Sequence, residues 1–591
     1  MANAKPRFNP RKYDIDAYDA LVKSGVSKAM ARVMSSRGIT DVSSLDYNLR
    51  NALGVNKLTN ADKMAKLIAD KMEAGKRFLV VADYDSDGAT SCAILVRAMR
   101  GFGANIEYMV PNRFEHGYGL TPDIVKIAAA MTPRPDSIIT VDNGIASIDG
   151  VAEANKLGIS VLVTDHHLPA EQTPEAECIV NPNQRGCTFP SKNLAGCGVI
   201  FYVMLAVKHE LQQRGWFNTH PNFNVTDLLD FVALGTVADV VKLDDNNRKL
   251  VSAGLKQMRE GKAHEGIQAL LHVAKRDPNK ANPWDMGFGV GPRLNAAGRL
   301  DDMSVGISCL LEDDPFKAST LAEQLNTLNI ERRAIESDMT VQAVQQLEGT
   351  EFNTDDKYSM TLFHPDWHQG VIGILASRIK EKTNRPVIAF GRGSNGELKG
   401  SGRSIPPLPL RDALDMVYKQ NPNLIKKFGG HSMAAGLTIM EDDLAKFTVA
   451  FEEACRHMMA PEDLELVVDT DGSLSPDEIN LELAEAIKNQ VWGQGFPEPV
   501  FQGEFTVENQ KIVGEKHSKL RLLQGNRIYD AILFHHTDPV PNTIKAVYSL
   551  DVNEWQGSRM LQLRIQNFDA AEKPQYVHNP VFEQTESGLA L

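Results

Sequence analysis

Three aspartates spaced two apart, Asp83, Asp85 and Asp87, follow directly on the apolar run "RFLVVA", and Gly88 comes at once after them. Like charges packed this closely oppose one another unless a cation holds them. Further along, Asp142 ends "IITVD", Asp165, His166 and His167 end "VLVTDHH", and Asp239 lies in "GTVADVV". Carboxylates with a single imidazole are hard oxygen and borderline nitrogen donors, a set that suits Mn2+ or Mg2+ and suits a structural zinc site poorly. Brought to one edge by separate loops, they can hold two ions about 3.5–4 Å apart with one carboxylate between them. Such a pair supplies activated water near neutral pH, a polarised phosphoryl group and a stabilised leaving oxygen, the needs of phosphodiester hydrolysis. A calcium loop of the EF-hand kind shares the D-x-D-x-D-G string but needs a glutamate at its twelfth position. Counted from Asp83, that residue is Ile94, and an apolar strand stands where a flanking helix should be.

The elements that must position these groups read as strand, loop and helix in alternation: "RFLVVAD" then "ATSCAILVRAMRGFG", "DSIITVDNG" then "SIDGVAEANKLG", then "ISVLVTDHH". The later apolar run "TDLLDFVALGTVADVV" is grouped with them, which places Asp239 at a strand end too. This pattern predicts a parallel sheet covered by helices, with its ligand site at the carboxyl ends of the strands. Between Phe316 and Glu348 there is no Gly or Pro, and Leu321, Leu325, Leu328, Ile335 and Met339 recur at heptad-like spacing. A helix there spans on the order of 50 Å and can join two domains across a cleft. A second α/β region follows, with "WHQGVIGILASRIKEK", "GSGRS" and "GGHSMAAG"; beyond it, "HSKLRLL", "RIYDAILF", "TIKAVYSLDV" and "RMLQLRIQNF" alternate with period two and predict a small β-barrel. The expected fold class is therefore α/β: a parallel-sheet core with an N-terminal extension (1–310), a connecting helix (311–350), a smaller α/β domain (351–457), a C-terminal barrel of OB type (458–570) and a tail (571–591).

In order along the chain, these motifs resemble the DHH phosphoesterase superfamily, and within it the single-stranded-DNA exonucleases. Asp83 to Gly88 looks like the first motif, Asp142-Asn143-Gly144 the second, Asp165-His166-His167 the third and Asp239 the fourth, while Gly429 to Gly436 matches the glycine-rich signature of the DHHA1 domain. The resemblance implies a DHH core, connecting helix, DHHA1 domain and OB-type barrel. It also implies two ions, Mn2+ or Mg2+, ligated by Asp85, Asp87, Asp142, His166 and Asp239 with Asp142 bridging, Asp83 being a ligand or a residue just behind one. Asp165 would orient the histidines and His167 would donate to the phosphoryl oxygen. Arginine forks and a neighbouring hydroxyl bind phosphate well, and the family pattern makes Arg113, Arg299, Ser401 and Arg403 a pocket for a 5′-terminal phosphate. Polarity 5′→3′, release of 5′-mononucleotides and a role in recombination and repair follow from the same resemblance. Arg293, from the same segment as Arg299, and the cleft candidates Tyr118, Trp367, His368, Arg378 and His431 would contact the strand without reading its sequence. Trp367 reads equally well as a core residue. The glycines of "GFGVG", Gly287 to Gly291, are too few for a dinucleotide fingerprint.

The net charge of −13 over 591 residues looks wrong for a nucleic-acid enzyme, yet Val371 to Leu437 holds eleven Lys and Arg against four Asp and Glu. Screening limits each charge to about 10 Å, so this local excess lets an anionic polymer bind one part of the surface. The six cysteines form no CxxC pair, no apolar stretch of bilayer length occurs and the N-terminus lacks a signal-peptide core. A reduced, cytoplasmic, monomeric protein without a membrane partner is expected, with single-stranded DNA bearing a 5′ end as substrate. By family analogy, a single-strand-binding protein and a helicase are its partners. The rival enzyme, a phosphodiesterase for short oligonucleotides, cyclic dinucleotides or pyrophosphate, is generally more compact. A silent DNA-binding scaffold could dispense with the carboxylates that are all present here.

Overall fold

The computed structural model describes residues 7–112, 115–349, 356–555 and 557–570. By its internal contacts the chain falls into two compact units. One takes Tyr47–Leu464 with Val491–Phe496, and the other takes the remaining described residues.

The chain opens with strand β1 (Arg7–Pro10) and two short helices, then builds the core sheet from β2 (Arg77–Ala82), β3 (Asn105–Met109), β4 (Ser137–Val141), β5 (Ser160–Thr164) and β6 (Cys178–Val180). All pairings are parallel, in the order β3-β2-β4-β5-β6. Both β2 and β4 are buried almost throughout, which is why they read as continuous apolar runs rather than as an alternation. Register does the positioning: Ala82 pairs with Val141, and Val141 with Thr164. The next residue on each strand is therefore Asp83, Asp142 or Asp165, three carboxyls at one level of the sheet edge.

The run containing Asp239 departs from expectation. It forms a helix, Leu229–Ala238, and Asp239 caps its C-terminus instead of ending a strand. A helix buried on all sides lacks polar periodicity and imitates a buried strand in sequence.

The connecting helix runs Pro315–Gly349, 35 residues. Its buried positions are Ala318, Ala322, Leu325, Asn329, Arg332, Glu336, Met339, Ala343 and Leu347, at intervals of four and three that alternate as far as Ala343. The seam is apolar at both ends and polar in the middle. Its C-terminal third packs with Leu362, Trp367 and Leu375 of the second α/β domain. That domain is a mixed sheet of β7 (Met360–Phe363), β8 (Val387–Arg392), β9 (Glu397–Arg403), β10 (Lys427–Gly430) and β11 (Ala434–Met440), ordered β10-β11-β9-β8-β7. Its core includes Phe390, Leu414, Phe447 and Phe451.

In the other unit, β12 (Val467–Thr470) precedes a closed barrel of β13 (Phe501–Val513), β14 (His517–Gln524), β15 (Arg527–Leu533), β16 (Thr543–Trp555) and β17 (Ser558–Ala570), ordered β13-β14-β15-β17-β16. Leu563 and Ile565 face inward and Arg564 and Gln566 outward, as the alternation predicts. The sequence reading attaches the N-terminal extension to the core, and the structure corrects it. β1 pairs in parallel with β12, and Arg37 makes a two-pronged ion pair with Asp471 at 2.6 and 3.0 Å, both side chains almost fully buried. A buried guanidinium needs such a partner, and here the partner lies more than four hundred residues away in sequence. The expected tail, 571–591, lies outside the described residues.

Candidate metal centre

Each acid reaches the sheet edge by a different local device. Asp85 N-caps the helix Ser86–Gly101, accepting from the backbone N–H of Asp87 and Gly88 at 2.9 and 3.0 Å, a cap of a kind worth about 1 kcal/mol. Gly88 has to be glycine, since a Cβ there would stand 2.4 Å from the Asp83 carbonyl oxygen. Asp87 takes the N-terminus of a second helix, Gly196–Gln213, accepting from Gly196 N–H at 2.6 Å and Cys197 N–H at 2.9 Å. A Cβ on Gly196 would lie 2.7 Å from that of Asp142. Asp142 itself sits in the left-handed region, φ 60, held by Asn143, whose side-chain amide donates to the Val81 and Val141 carbonyls. Strain of this kind survives only where surrounding structure enforces it, commonly at functional sites.

These loops converge on His166. Its Nε2 lies 3.1 Å from Asp142 Oδ1, 3.6 Å from Asp239 Oδ2 and 3.8 Å from Asp87 Oδ2. Among the described residues, three groups each place donor atoms within 4.8 Å of one another: Asp142, His166 and His167; Asp87, His166 and Asp239; and Asp83, Asp85 and Asp142. His166 Nε2 and Asp142 Oδ1 are buried without a hydrogen-bond partner among the described residues, an expensive condition for a charged site. Asp239 adds to the cost by standing at the negative end of a helix dipole. Hard oxygen donors, one imidazole and orphaned atoms aimed at one another fit Mn2+ or Mg2+.

Burial first, and then the neighbouring carboxylates, push Asp83, Asp142 and Asp239 well above the usual carboxylate range and raise Asp85 as well. Burial likewise lowers His166. A carboxyl raised in this way holds its proton more tightly folded than unfolded, so its ionisation costs the metal-free protein stability that returns as pH falls through the folded value. A divalent cation competes with those protons. Mn2+ is therefore expected to raise the melting temperature by an increment that shrinks as pH is lowered from about 8 to about 5. Thermal scans with Mn2+ and with EDTA across that range check it, and an increment independent of pH would contradict it.

Asp165 serves the histidines. Its Oδ1 accepts from the backbone N–H of His166 and His167 and from His167 Nδ1 at 2.7 Å, and its Oδ2 from Ile145 N–H. Against desolvation, which acts the other way, these contacts hold Asp165 below the usual range. Against desolvation again, Asp165 and the nearby carboxylates raise His167 to about 9. With Nδ1 committed to Asp165, His167 keeps Nε2 for another partner. Tyr118, half exposed, stands edge-on to His167 with ring centroids 6.1 Å apart.

The remaining candidates divide. Arg403 is desolvated, donates to Ser401 Oγ at 3.2 Å and has no carboxylate partner among the described residues. Gly373, in the first turn of the helix Ile372–Thr383, packs on both: a Cβ there would lie 2.9 Å from Ser401 Oγ and 3.0 Å from an Arg403 nitrogen. Arg299 reaches this helix's lead-in, donating to the Gly370 carbonyl at 3.0 Å. His431 is exposed, and partial desolvation first, then the charges of His167 and Arg411, hold its imidazole below the usual range. His368 Nδ1 accepts from Gly370 N–H. Arg378 pairs with Glu336 at 2.8 Å, and Arg293 donates to Asn326 and to the Gly289 carbonyl. Trp367 takes the core alternative. It is 3% exposed, donates to Gln342 and packs against the connecting helix, which leaves no ring face for a base. Arg113 lies outside the described residues. Sequence reading misses the N–H groups of Gly196 and Cys197, for which "AGCG" before a helical run is a faint signal.

Residues 77–236 match the family model described as the DHH family, N-terminal domain, and residues 355–457 match the DHHA1 domain. With an acidic strand-edge site on a parallel sheet, these define a protein of the DHH class. Residues 470–567 match the RecJ OB domain. The single-stranded-DNA-specific exonuclease RecJ of Escherichia coli is 45% identical over 575 residues, 95% of this chain and 99% of that one. Its Bacillus subtilis counterpart is 31% identical over 522 residues, covering 87% and 63%. The crystal structure of RecJ in complex with Mn2+ from Thermus thermophilus superposes with a TM-score of 0.79 at 26% identity, over 98% of this chain and 81% of that one. The chain belongs to the RecJ family.

Proposed function

We propose that the protein is a metal-dependent, single-stranded-DNA-specific 5′→3′ exonuclease that hydrolyses phosphodiester bonds, releases 5′-mononucleotides and acts in recombination and repair. The observation that carries this reading is the convergence of Asp87, Asp142 and Asp239 on His166 and of Asp83 and Asp85 on Asp142, with His166 Nε2 and Asp142 Oδ1 left without a hydrogen-bond partner among the described residues. Asp83, Asp85, Asp87, Asp142, His166 and Asp239 would hold two ions, Asp142 between them. When bound, these ions activate water and offset the charge that develops on the phosphoryl and leaving oxygens.

The protein's own groups do the rest. Protonated His167, fixed by Asp165, donates through Nε2 to a phosphoryl oxygen. Arg403, Ser401 and Arg299, joined by Arg113 from the family pattern, hold the terminal phosphate and so give the 5′ polarity. Exposed His431 and Tyr118 line the strand's approach, and the barrel contributes its own strand binding. Monomeric action in the cytoplasm, with a single-strand-binding protein and a helicase supplying the substrate, belongs to the same proposal.

A strand labelled at either end, digested with and without Mn2+, tests it. Mononucleotides should appear from the 5′ end first, only with metal and not from duplex. Arg403→Ala should lower kcat/KM for a 5′-phosphorylated strand about 10–100-fold, the worth of a charged hydrogen-bond pair, and erase the preference over a 5′-hydroxyl end. Release from the 3′ end, or an undiminished preference in that variant, would refute the reading.

A further inference from the structure

A cavity of about 840 Å3 lies among the helix Gly291–Leu300, the polar middle of the connecting helix and the helix Ile372–Thr383. Its size falls within the roughly 300–1,000 Å3 of small-ligand sites. Among the described residues lining it, seven are cationic and one, Glu336, is a carboxylate. The cations crowd one another. Burial and then the charge of Arg333 lower Arg293, and burial lowers Arg332 against the pull of Glu336. Asp285 beside Arg276 and Glu381 beside Arg378 offset part of this charge from outside the lining, and the cationic excess that remains within it suits an anion.

One rim is aromatic. The segment "GFGVG" lies in and just after a π-helical turn, Asp285–Val290, a rare geometry that recurs at functional sites. This turn presents Phe288, 68% exposed, stacked on Trp284, 49% exposed, with centroids 5.3 Å apart. The Arg276 guanidinium lies 4.5 Å over the Trp284 ring. An open aromatic ledge beside clustered arginines can take a base by its π-face and a phosphate by its charge. The cavity also adjoins the terminal-phosphate residues: Arg299 lines it, as does Ile374, whose neighbour Gly373 packs on Ser401 and Arg403.

We propose that this cavity binds a free nucleoside 5′-monophosphate, the class of molecule the reaction releases, and holds it on its way out. Calling that ligand the product rests on the proposed exonuclease activity; its binding does not. The full-length Asp142→Ala protein, in EDTA and saturated with a 5′-phosphorylated single strand so that the terminal-phosphate pocket is filled, is titrated calorimetrically with dAMP. One dAMP should bind per chain, and deoxyadenosine or inorganic phosphate alone should bind at least about tenfold more weakly. Trp284→Ala and Arg333→Glu, each made in that protein, should each weaken dAMP at least about tenfold. Arg333 is exposed, so if Trp284→Ala lowers the melting temperature, Arg333→Glu alone decides. No dAMP binding, binding that ignores Arg333→Glu, or exclusion of dAMP by the strand would overturn the proposal. Because nothing turns over in this assay, such a failure leaves the end-labelled digestion free to stand or fall by itself.

Discussion

Replacing Asp142 by alanine is expected to abolish hydrolysis, by more than about 10³-fold, while single-strand binding stays measurable. Removing one transition-state donor from an enzyme typically costs about 10²–10³, and Asp142 carries more than one such duty. It belongs to two of the three donor groups, the one with both histidines and the one with Asp83 and Asp85, and its Oδ1 stands 3.1 Å from His166 Nε2. Without it both groups lose their shared member, and the Mn2+-dependent rise in melting temperature should fall with activity. The arginines that would hold the strand are untouched. Turnover of a labelled strand and anisotropy of a fluorescent one separate the two effects, and substantial turnover in clean Asp142→Ala protein would remove the bridging role.

Asp165→Asn is expected to lower kcat roughly 10²–10⁴-fold, the range for a positioned acid or base, with little change in KM. The pH profile carries the sharper signature. A donor works only while protonated, and His167, raised to about 9 with Asp165 at 2.7 Å, stays protonated through neutral pH. An amide cannot supply that charge, and the desolvation that remains lowers the imidazole. The basic limb of the rate profile should therefore move to lower pH. A limb that stays in place would show that His167 is not the donor.

Much of this is legible from sequence because strand ends announce themselves. "LVVAD", "IITVD" and "VLVTD" each end on an acid, and parallel register puts those ends level. Pattern reading brings Asp239 to the same edge for the wrong reason, since its apolar run is a buried helix and the acid arrives as a C-cap. Trp367 sits beside polar residues in "DWHQG" and looks available, but tertiary packing on the connecting helix claims it. The pairing of β1 with β12 cannot be read, because four residues find a partner at the far end of the chain. Strand β13 escapes the pattern, and "GFGVG", unconvincing as a cofactor loop, gains meaning only because its π-helical turn exposes Phe288.

The connecting helix fixes more than a link. Apolar anchors grip helices of the first domain at one end and the second α/β domain at the other, and Arg332 with Glu336 and Arg378 pins its waist. The acids that would cut and the arginine that would seat the strand terminus thus sit on opposite jaws of a caliper. Its opening is set by a rod, so on the proposed reading fragment length would be a dimension of the scaffold and owe nothing to base identity.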